Sequence, residues 1–483
     1  MRRFTKIVAT LGPASSDEAV LRELISAGLD VARLNFSHGS HESHGEMIDL
    51  LRRLSDEMHK PITILQDLQG PKLRVGILPK GGIKLVAGQR LHLVQMGEEQ
   101  ELTETDDGIL VIPLDVPDLA GAVSKGKTIL MDDGNLELLV TNILGEKVEV
   151  EVVLGGQLTS NKGVNLPGAQ LNIPSFTEKD REDLNFGLEK GVDAVVLSFV
   201  RQAEDIQKVR RTIQEITPDK KDTYLIAKIE LPKAIENLEE ILNEVDGVMV
   251  ARGDLAVETS PGEVPILQKR IIQAANRKGK VVITATQMLE SMINNPRPTR
   301  AEASDVANAV FDGTDALMLS AETAIGQYPV QSLSMMDSIT RNAERNLEEW
   351  KLPISTLVDV TDDDAISVTR AACELARARQ VSDIAVFTNT GRTAVLMSKA
   401  RPCVSILAFT PQKRTFRRLG LLRGVKPHLV PFANSVESML ELVEGAIIDT
   451  EAHSPGQKLV VISGFPVGEI RLPNFALLHE IQA

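Results

Sequence analysis

Four short apolar runs in the middle of the chain each end in polar or charged residues: Tyr224 to Glu230 (YLIAKIE), Gly247 to Asp254 (GVMVARGD), Val281 to Gln287 (VVITATQ) and Ala316 to Glu322 (ALMLSAE). Each has strand length and composition and is followed by a segment of helical period, so the polar endings are expected to gather at one mouth of a parallel sheet. Thr5 to Gly12, Asp30 to Ser37, Pro61 to Leu68 and Ala194 to Val200 share the pattern and bring the series to eight. Between the runs, Leu231, Ile235, Leu238, Ile241, Leu242 and Val245 recur at spacings of three and four, the signature of an amphipathic helix. Thr177 with Asp180, and Thr299 with Glu302, have capping-box spacing and predict helix starts. Eight strands alternating with helices predict a (β/α)8 TIM barrel with its chemistry at the C-terminal strand ends. An open doubly wound sheet is the alternative that the pattern alone leaves standing.

The alternation breaks from roughly Lys72 to Gly163, where short strands with Val and Leu at period two are separated by turns such as Lys80-Gly81-Gly82 and Asp132-Asp133-Gly134-Asn135. This stretch reads as a small β domain inserted after the third strand and hanging over the barrel mouth. A further α/β unit begins near Val358, after a helical segment ending at Trp350 and an acidic stretch, Asp362 to Asp364. The expected organisation is α/β: a discontinuous barrel (1-70 and 171-357), an inserted small β-barrel lid (71-170) and a C-terminal α/β domain (358-483).

Composition narrows the function classes. With 483 residues and 43% hydrophobic content the chain is long enough for two or three domains with cores of their own. A net charge of −14 argues against a general nucleic-acid or anionic-membrane binder while leaving room for a local basic pocket. Cys373 and Cys403 are the only cysteines, which suits a reducing compartment, and MRRFTKIVATLG enters a strand without a long apolar segment, so a soluble cytoplasmic protein is expected.

Two motifs are set aside on context. Gly121 to Thr128 satisfies the P-loop expression, but Thr128 leads into ILMDD, a strand running to a turn, whereas a P-loop must open a helix. His38, His41 and His44 are spaced by three after Ser40; without a nearby thiol they read as a solvated helix start, with His38 left close enough to a strand end to face a ligand. The strand ends carry a sharper signal. Lys228 and Glu230 are two apart and share one side of their strand, and Arg252 and Asp254 are expected to do so on the next. Charges there are costly unless paired or met by a ligand or metal. Glu230 and Asp254 form an oxygen-rich pair suited to Mg²⁺, Lys228 and Arg33 supply positive charge for a phosphoryl group, and Gly253 lets backbone N–H groups approach an anion.

Longer segments make the chain recognisable: TKIVATLGPAS (Thr5 to Ser15), DVARLNFSHG (Asp30 to Gly39), DLQGPKLRVG (Asp67 to Gly76), AKIE (Ala227 to Glu230), MVARGDL (Met249 to Leu255), ITATQMLESM (Ile283 to Met292) and the run from Pro296 to Ala324. Over essentially its whole length the sequence resembles the pyruvate kinase family. The resemblance implies phosphoryl transfer from phosphoenolpyruvate to ADP, giving pyruvate and ATP, with Mg²⁺ (or Mn²⁺) held by Glu230 and Asp254. It further implies that Lys228, Arg33 and Ser198 meet the phosphoryl group, and that Gly253, Asp254 and Thr286 hold the substrate carboxylate. Pro13, Arg33, His38, Arg74 and Lys162 fall on the nucleotide side, and Thr286, Ser320 and Glu322 belong to the relay that protonates the enolate. A homotetramer is implied as well.

One local detail separates subtypes. Members that require K⁺ have Thr after the Asp of this segment and Glu at the position of Lys72, whereas Leu68, Gln69 and Lys72 match members that do not. K⁺ is therefore expected not to be required, although Asn35, Ser37, Asp67 and Leu68 match the monovalent-cation site; the Lys72 ammonium would replace the ion's charge, the plainer alternative being a solvated side chain at the lid hinge. Thr388, Asn389, Thr390, Gly391, Arg392 and Thr393 lie where a strand turns into a helix and resemble the family's effector-phosphate loop, so a sugar-phosphate or nucleotide effector is expected there, a structural cap being the alternative. Ala256 replaces the usual Gly after RGDL, and the loop from Gly464 to Asn474 lacks the usual Gly-Thr-Thr run while offering Arg471 as an added phosphate ligand. A catalytically silent metabolite sensor and another barrel enzyme acting on an enol phosphate remain the competing readings.

Overall fold

In the computed structural model, which describes residues 3–97, 101–169, 173–220, 222–350, 363–448, 456–467 and 469–482, eight parallel strands close into a barrel. They are β1 (Lys6–Thr10), β2 (Val31–Asn35), β3 (Thr63–Asp67), β4 (Ala194–Leu197), β5 (Tyr224–Ile229), β6 (Gly247–Ala251), β7 (Val281–Ala285) and β8 (Ala316–Leu319), with β8 pairing back onto β1. Closure excludes the open doubly wound sheet. Every apolar run carries a strand; β2 and β3 keep Asn35 and Asp67 within the strand, whereas β6, β7 and β8 stop at Ala251, Ala285 and Leu319, before the polar endings of their runs.

That early stop corrects one expectation. β6 ends at Ala251 and Arg252–Glu258 is a helix, so Arg252 and Asp254 are not alternate residues of a strand and do not share a side. Arg252 is buried and turned away, donating to the carbonyls of Ala285 and Thr286 and pairing with Asp305 at 2.6 Å. The segment after Glu230 is likewise two helices, Pro232–Glu236 and Leu238–Glu244, broken at Asn237, whose side-chain amide donates to the Arg201 carbonyl. The expected capping boxes are present: Thr177 and Thr299 accept from the N–H groups of Asp180 and Glu302, which reach back to the cap residues.

Alternation along the strands sorts the core. On β1, Ile7 and Ala9 pack toward the surrounding helices, while Val8 joins Val31, Leu65, Val196 and Ile226 in the barrel interior. That inner cluster continues into Met397, Leu419 and Leu421 of the C-terminal domain, so this domain caps one end of the barrel and leaves the C-terminal strand ends as the mouth. The capping domain is a five-stranded sheet, β9 (Asp383–Phe387), β10 (Ser405–Thr410), β11 (Val425–Leu429), β12 (Lys458–Ser463) and β13 (Phe475–Glu480), in the order β11-β10-β9-β12-β13 with only β13 antiparallel.

Between β3 and β4 the inserted chain forms an eight-stranded sheet and a two-stranded ribbon around a core of its own that includes Leu91, Leu93, Ile112, Leu138, Val148 and Val150. Its turns use left-handed backbone at Gly81, Gly82, Asp132, Asp133 and Gly134. Thr128 opens the strand Thr128–Met131, so Gly121 to Thr128 has no helix behind it and is not a P-loop. The domain limits drawn at 170/171 and 357/358, the start near Val358, and Gly468 of the C-terminal loop lie outside the described residues.

Where the capping domain meets the barrel, polar groups are buried and matched. Lys399, at the end of the helix Arg392–Lys399, pairs with Asp315 just before β8 and donates to Asn276 at 2.8 Å; Arg401 lies 3.3 Å from the other Asp315 oxygen. Burial holds the Lys399 ammonium and Arg401 guanidinium below their ordinary ranges, with Asp315 opposing. Removing Asp315 would strand two buried cations. Asp315→Ala is expected to cost about 3–5 kcal/mol, read as an earlier thermal or urea transition, whereas Asp305→Ala should cost less, because Arg252 keeps the Ala285 and Thr286 carbonyls as acceptors.

Candidate functional site

At the mouth, β5 delivers Lys228 and Glu230 to the same side, as their spacing requires: Lys228 Nζ is 3.0 Å from Glu230 Oε2. Glu230 has no exposed surface. Its Oε1 accepts the Phe199 N–H at 2.8 Å, and Phe199 presents that N–H with φ 54, a left-handed conformation uncommon for an aromatic residue. Burial pushes the Glu230 carboxyl up to about 7, against the pull of Lys228. For Lys228, burial is outweighed by Glu230, Asp67 and Asp254, and the ammonium is held firmly protonated.

β2, β3 and β4 complete the charged floor. Arg33 donates through Nε to Asp67 Oδ2 at 2.7 Å and through Nη1 to Thr10 Oγ1 at 2.9 Å. Ser198 bridges the two sides: its hydroxyl donates to the Leu68 carbonyl at 2.8 Å, faces Asp67 Oδ1 at 3.4 Å, and accepts from Lys228 at 3.2 Å. Lys228, Arg33 and Ser198, the expected phosphoryl contacts, are thus joined through Asp67.

β6 and β7 supply a second cluster. The Gly253 N–H donates to Thr286 Oγ1 at 2.8 Å, and Thr286 holds φ 66, an outlier for a β-branched residue that marks stored strain. A β-carbon on Gly253 would lie 3.5 Å from Thr286 Oγ1, an ordinary contact, so packing alone does not demand glycine there. On the far side of β7, buried Glu322 accepts from the Ser320 N–H at 2.7 Å and the Leu289 N–H at 3.0 Å. The Ser320 hydroxyl is buried without a hydrogen-bond partner.

The donor set fits a divalent metal. Glu230 Oε2 is buried against the Lys228 ammonium, and Asp254 acts electrostatically on both Glu230 and Lys228. No cluster of three or more potential protein ligands occurs among the described residues. Glu230 and Asp254 would supply the one or two carboxylates that Mg²⁺ takes, its other positions going to water and substrate oxygens.

The remaining predicted residues sit on the lid side. Pro13 is exposed at the start of the short helix Pro13–Ser15. Lys162 pairs with Asp132 at 2.5 Å and Arg74 donates to the Asn161 carbonyl, both within the lid. Burial lowers the His38 pKa, helped by the positive charges of Lys72, Arg74 and Arg33, which places His38 among these cations. His41 and His44 have structural partners: His41 pairs with Asp183, while His44 stacks on Phe36 and bonds the His38 carbonyl.

Asn35 and Asp67 are register partners on β2 and β3, Asn35 Oδ1 accepts the Ser37 N–H, and the Leu68 carbonyl follows on, so the four residues expected at a monovalent-cation site are adjacent. Lys72 is half-buried and, among the described residues, has no carboxylate within ion-pair distance; burial lowers its pKa, and the acids acting on it most are Asp133 of the lid and Asp254. In the C-terminal domain, Thr388, Asn389, Thr390, Arg392 and Thr393 line a cavity of about 200 Å³ together with Arg471. Gly391, at φ 88, donates its N–H to Thr388 Oγ1 at 2.9 Å and opens the helix behind the loop.

Three contributors escaped the sequence reading. Arg252 ties the β6 end to the β7 end, Phe199 supplies the N–H that holds Glu230, and Glu258 accepts a 2.9 Å bond from Asn165 of the lid. Only the RGD spacing hinted at Arg252, and it pointed the wrong way. The other two depend on contacts between distant segments.

Two family profiles match the chain: "Pyruvate kinase, barrel domain" over residues 2–333 and "Pyruvate kinase, alpha/beta domain" over residues 366–479. Among similar proteins, a "Pyruvate kinase" of Agrobacterium vitis is 42% identical over 481 residues, spanning 100% of this chain and 97% of that protein. A "Pyruvate kinase" of Sporosarcina psychrophila is 40% identical over 99% of this chain and 80% of its own length, and "Pyruvate kinase 2" of Synechocystis sp. is 48% identical over 89% and 71%.

The geometry at Glu230 can be tested without turnover. Glu230→Gln should weaken Mn²⁺ binding, followed by water-proton relaxation, at least as much as the roughly 10–100-fold that loss of a supporting partner costs; unchanged affinity would place the metal elsewhere.

Proposed function

The chain belongs to the pyruvate kinase family, and we propose that at the barrel mouth it transfers the phosphoryl group of phosphoenolpyruvate to ADP, giving pyruvate and ATP. The observation that carries this reading is the convergence of Lys228, Arg33 and Ser198 with Glu230, which is fully buried and faces the Lys228 ammonium at 3.0 Å. It is a site built to take an anion and a cation together.

The nucleophile is an ADP phosphate oxygen, already anionic, so the protein has to align donor and acceptor and neutralise charge rather than form a covalent intermediate. Lys228 and Arg33 face the transferring phosphoryl group, with Ser198 and Asp67 fixing their directions. Thr286 and the backbone at Gly253 and Asp254 hold the substrate carboxylate; the Thr286 hydroxyl, which donates to the Ala285 carbonyl at 2.7 Å, turns to the ligand instead. Glu230 and Asp254 would hold Mg²⁺ or Mn²⁺, whose positive charge there would offset that of the phosphoryl and enol oxygens. Once the P–O bond breaks, the enolate takes a proton on its methylene carbon. Thr286 and Ser320 form the relay on that side, with Glu322 fixing the Ser320 backbone and the unpartnered Ser320 hydroxyl free to order water.

The nucleotide lies under the lid, against Pro13, His38, Arg74 and Lys162. Lys72 supplies the charge that K⁺ provides in other members, acting from the lid hinge on the side of Asp254, while Arg33 already neutralises Asp67. The site therefore works without K⁺. The loop Thr388–Thr393, with Arg471, binds the phosphate of a sugar-phosphate or nucleotide effector and regulates turnover. The working form is a cytoplasmic homotetramer; among the described residues no helix is long and apolar enough to cross a membrane.

Incubated with phosphoenolpyruvate, ADP and Mg²⁺, the protein should form pyruvate and ATP in equal amounts; no ATP would exclude this function and leave the silent-sensor and other-enol readings. Lys228→Met should lower kcat by roughly 10²–10³-fold, as loss of one preorganised charge-stabilising donor does elsewhere. Turnover should be the same in K⁺-free and K⁺-containing buffer, and Lys72→Glu should introduce a need for K⁺. Strict K⁺ dependence of the unaltered protein would refute the role of Lys72.

A further inference from the structure

The lid touches the barrel at an unusual carboxylate. Glu258 closes the helix Arg252–Glu258, the same helix that carries Gly253 and Asp254. A negative charge at a helix C-terminus opposes the helix dipole. Glu258 is also partly buried, and among the described residues it has no cation within ion-pair distance. Burial pushes its carboxyl up, with Asn165 opposing and Asp254 adding to the shift. The side chain that donates to it is Asn165, at 2.9 Å, on the lid strand Val164–Asn165.

That strand follows Lys162 by two residues and pairs with the lid strand Thr128–Met131. The turn after Met131 carries Asp132, the partner of Lys162, and the Asp132 N–H bonds the Gly163 carbonyl. A β-carbon on Gly134 of the same turn would meet Val257, the neighbour of Glu258, at 3.8 Å. One edge of the lid, bearing the lysine expected at the nucleotide, thus rests on the last turn of the helix whose first turn bears the metal and carboxylate groups.

We propose that Asn165 and Glu258 form a clasp that sets the closed position of the lid, and so act as positioning residues for the nucleotide. The proposal rests on the phosphotransfer reading above. The clasp is neither structural cement nor part of the phosphoenolpyruvate pocket. A half-buried carboxylate satisfied by the lid regains water when the lid lifts, so the contact is reversible by construction. When it holds, Lys162 and Asp254 are fixed relative to each other and water is kept from the phosphoryl group. When it is lost, water can take the place of ADP: its oxygen forms the new P–O bond, the enol P–O bond breaks, one water proton stays on the phosphate, and the other passes through solvent to the methylene carbon of the enolate, leaving pyruvate beside inorganic phosphate.

The full-length protein tests this by steady-state kinetics with pyruvate, ATP and inorganic phosphate measured separately. Asn165→Ala should raise the KM for ADP by roughly tenfold, the loss equivalent to one hydrogen bond to a charged group, while the KM for phosphoenolpyruvate and the thermal midpoint stay put. The ratio of pyruvate to ATP should rise above one. Glu258→Gln keeps an acceptor of the same shape and should lie nearer to the unaltered protein than Glu258→Ala, and the double variant with Asn165→Ala should be no worse than either alanine single. The clasp is overturned if Asn165→Ala leaves the ADP KM and product ratio unchanged, if both KM values rise together with a lower thermal midpoint, or if the two alanine effects add. An unaltered protein that makes no ATP would overturn the phosphotransfer reading itself, whereas normal ATP formation with an indifferent Asn165→Ala would remove the clasp alone.

Discussion

A carboxylate with no exposed surface governs the design of the mouth. Glu230 is removed from water, takes one backbone N–H and faces the Lys228 ammonium, and one of its oxygens is left without a well-formed hydrogen bond. Burying such a group costs several kcal/mol unless opposite charge is fixed beside it. The surroundings meet that demand in stages: Phe199 adopts left-handed backbone to deliver its N–H, Lys228 is held by Ser198, and Ser198 is held by Leu68. Residues from several strands are thereby committed to positions that also suit a ligand bearing both a phosphate and a metal.

Irregular backbone accompanies these charges at the mouth. Phe199, Thr286 and Gln287 all have positive φ, and all three lie just beyond strand ends at the mouth. At the opposite end of the barrel the apolar interior runs without interruption into the C-terminal domain through Leu419 and Leu421. A rigid, capped base allows irregular backbone at the top to persist, because the surrounding fold over-determines it. β8 joins the two regions directly, beginning beside Asp315 at the buried junction and ending at Ser320 and Glu322.

The lid differs in kind. Its core is separate from the barrel's, and among the described residues it meets the mouth through polar groups: Asn165 with Glu258, the field of Asp133 on Glu290, and the field of Asp254 on Lys72. A domain held this way can move as a unit while the barrel beneath it stays put.

Strand positions, the eightfold alternation, the inserted β domain and the capping boxes were legible from periodicity and composition, because each depends on side chains within one or two turns of one another. So was the Lys228–Glu230 pairing, since a spacing of two on a strand leaves no other geometry. Long ordered stretches such as MVARGDL and ITATQMLESM carried the family. Periodicity failed where the backbone changes state at a strand end: Arg252 and Asp254 were misread as strand residues because helix Arg252–Glu258 begins directly after Ala251, and no local pattern announces that switch. Phe199 under Glu230, Arg252 across to the β7 end and Asn165 against Glu258 were likewise out of reach. Each joins segments 31 to 93 residues apart, and which of many possible partners a polar group meets over such separations is settled by packing in three dimensions.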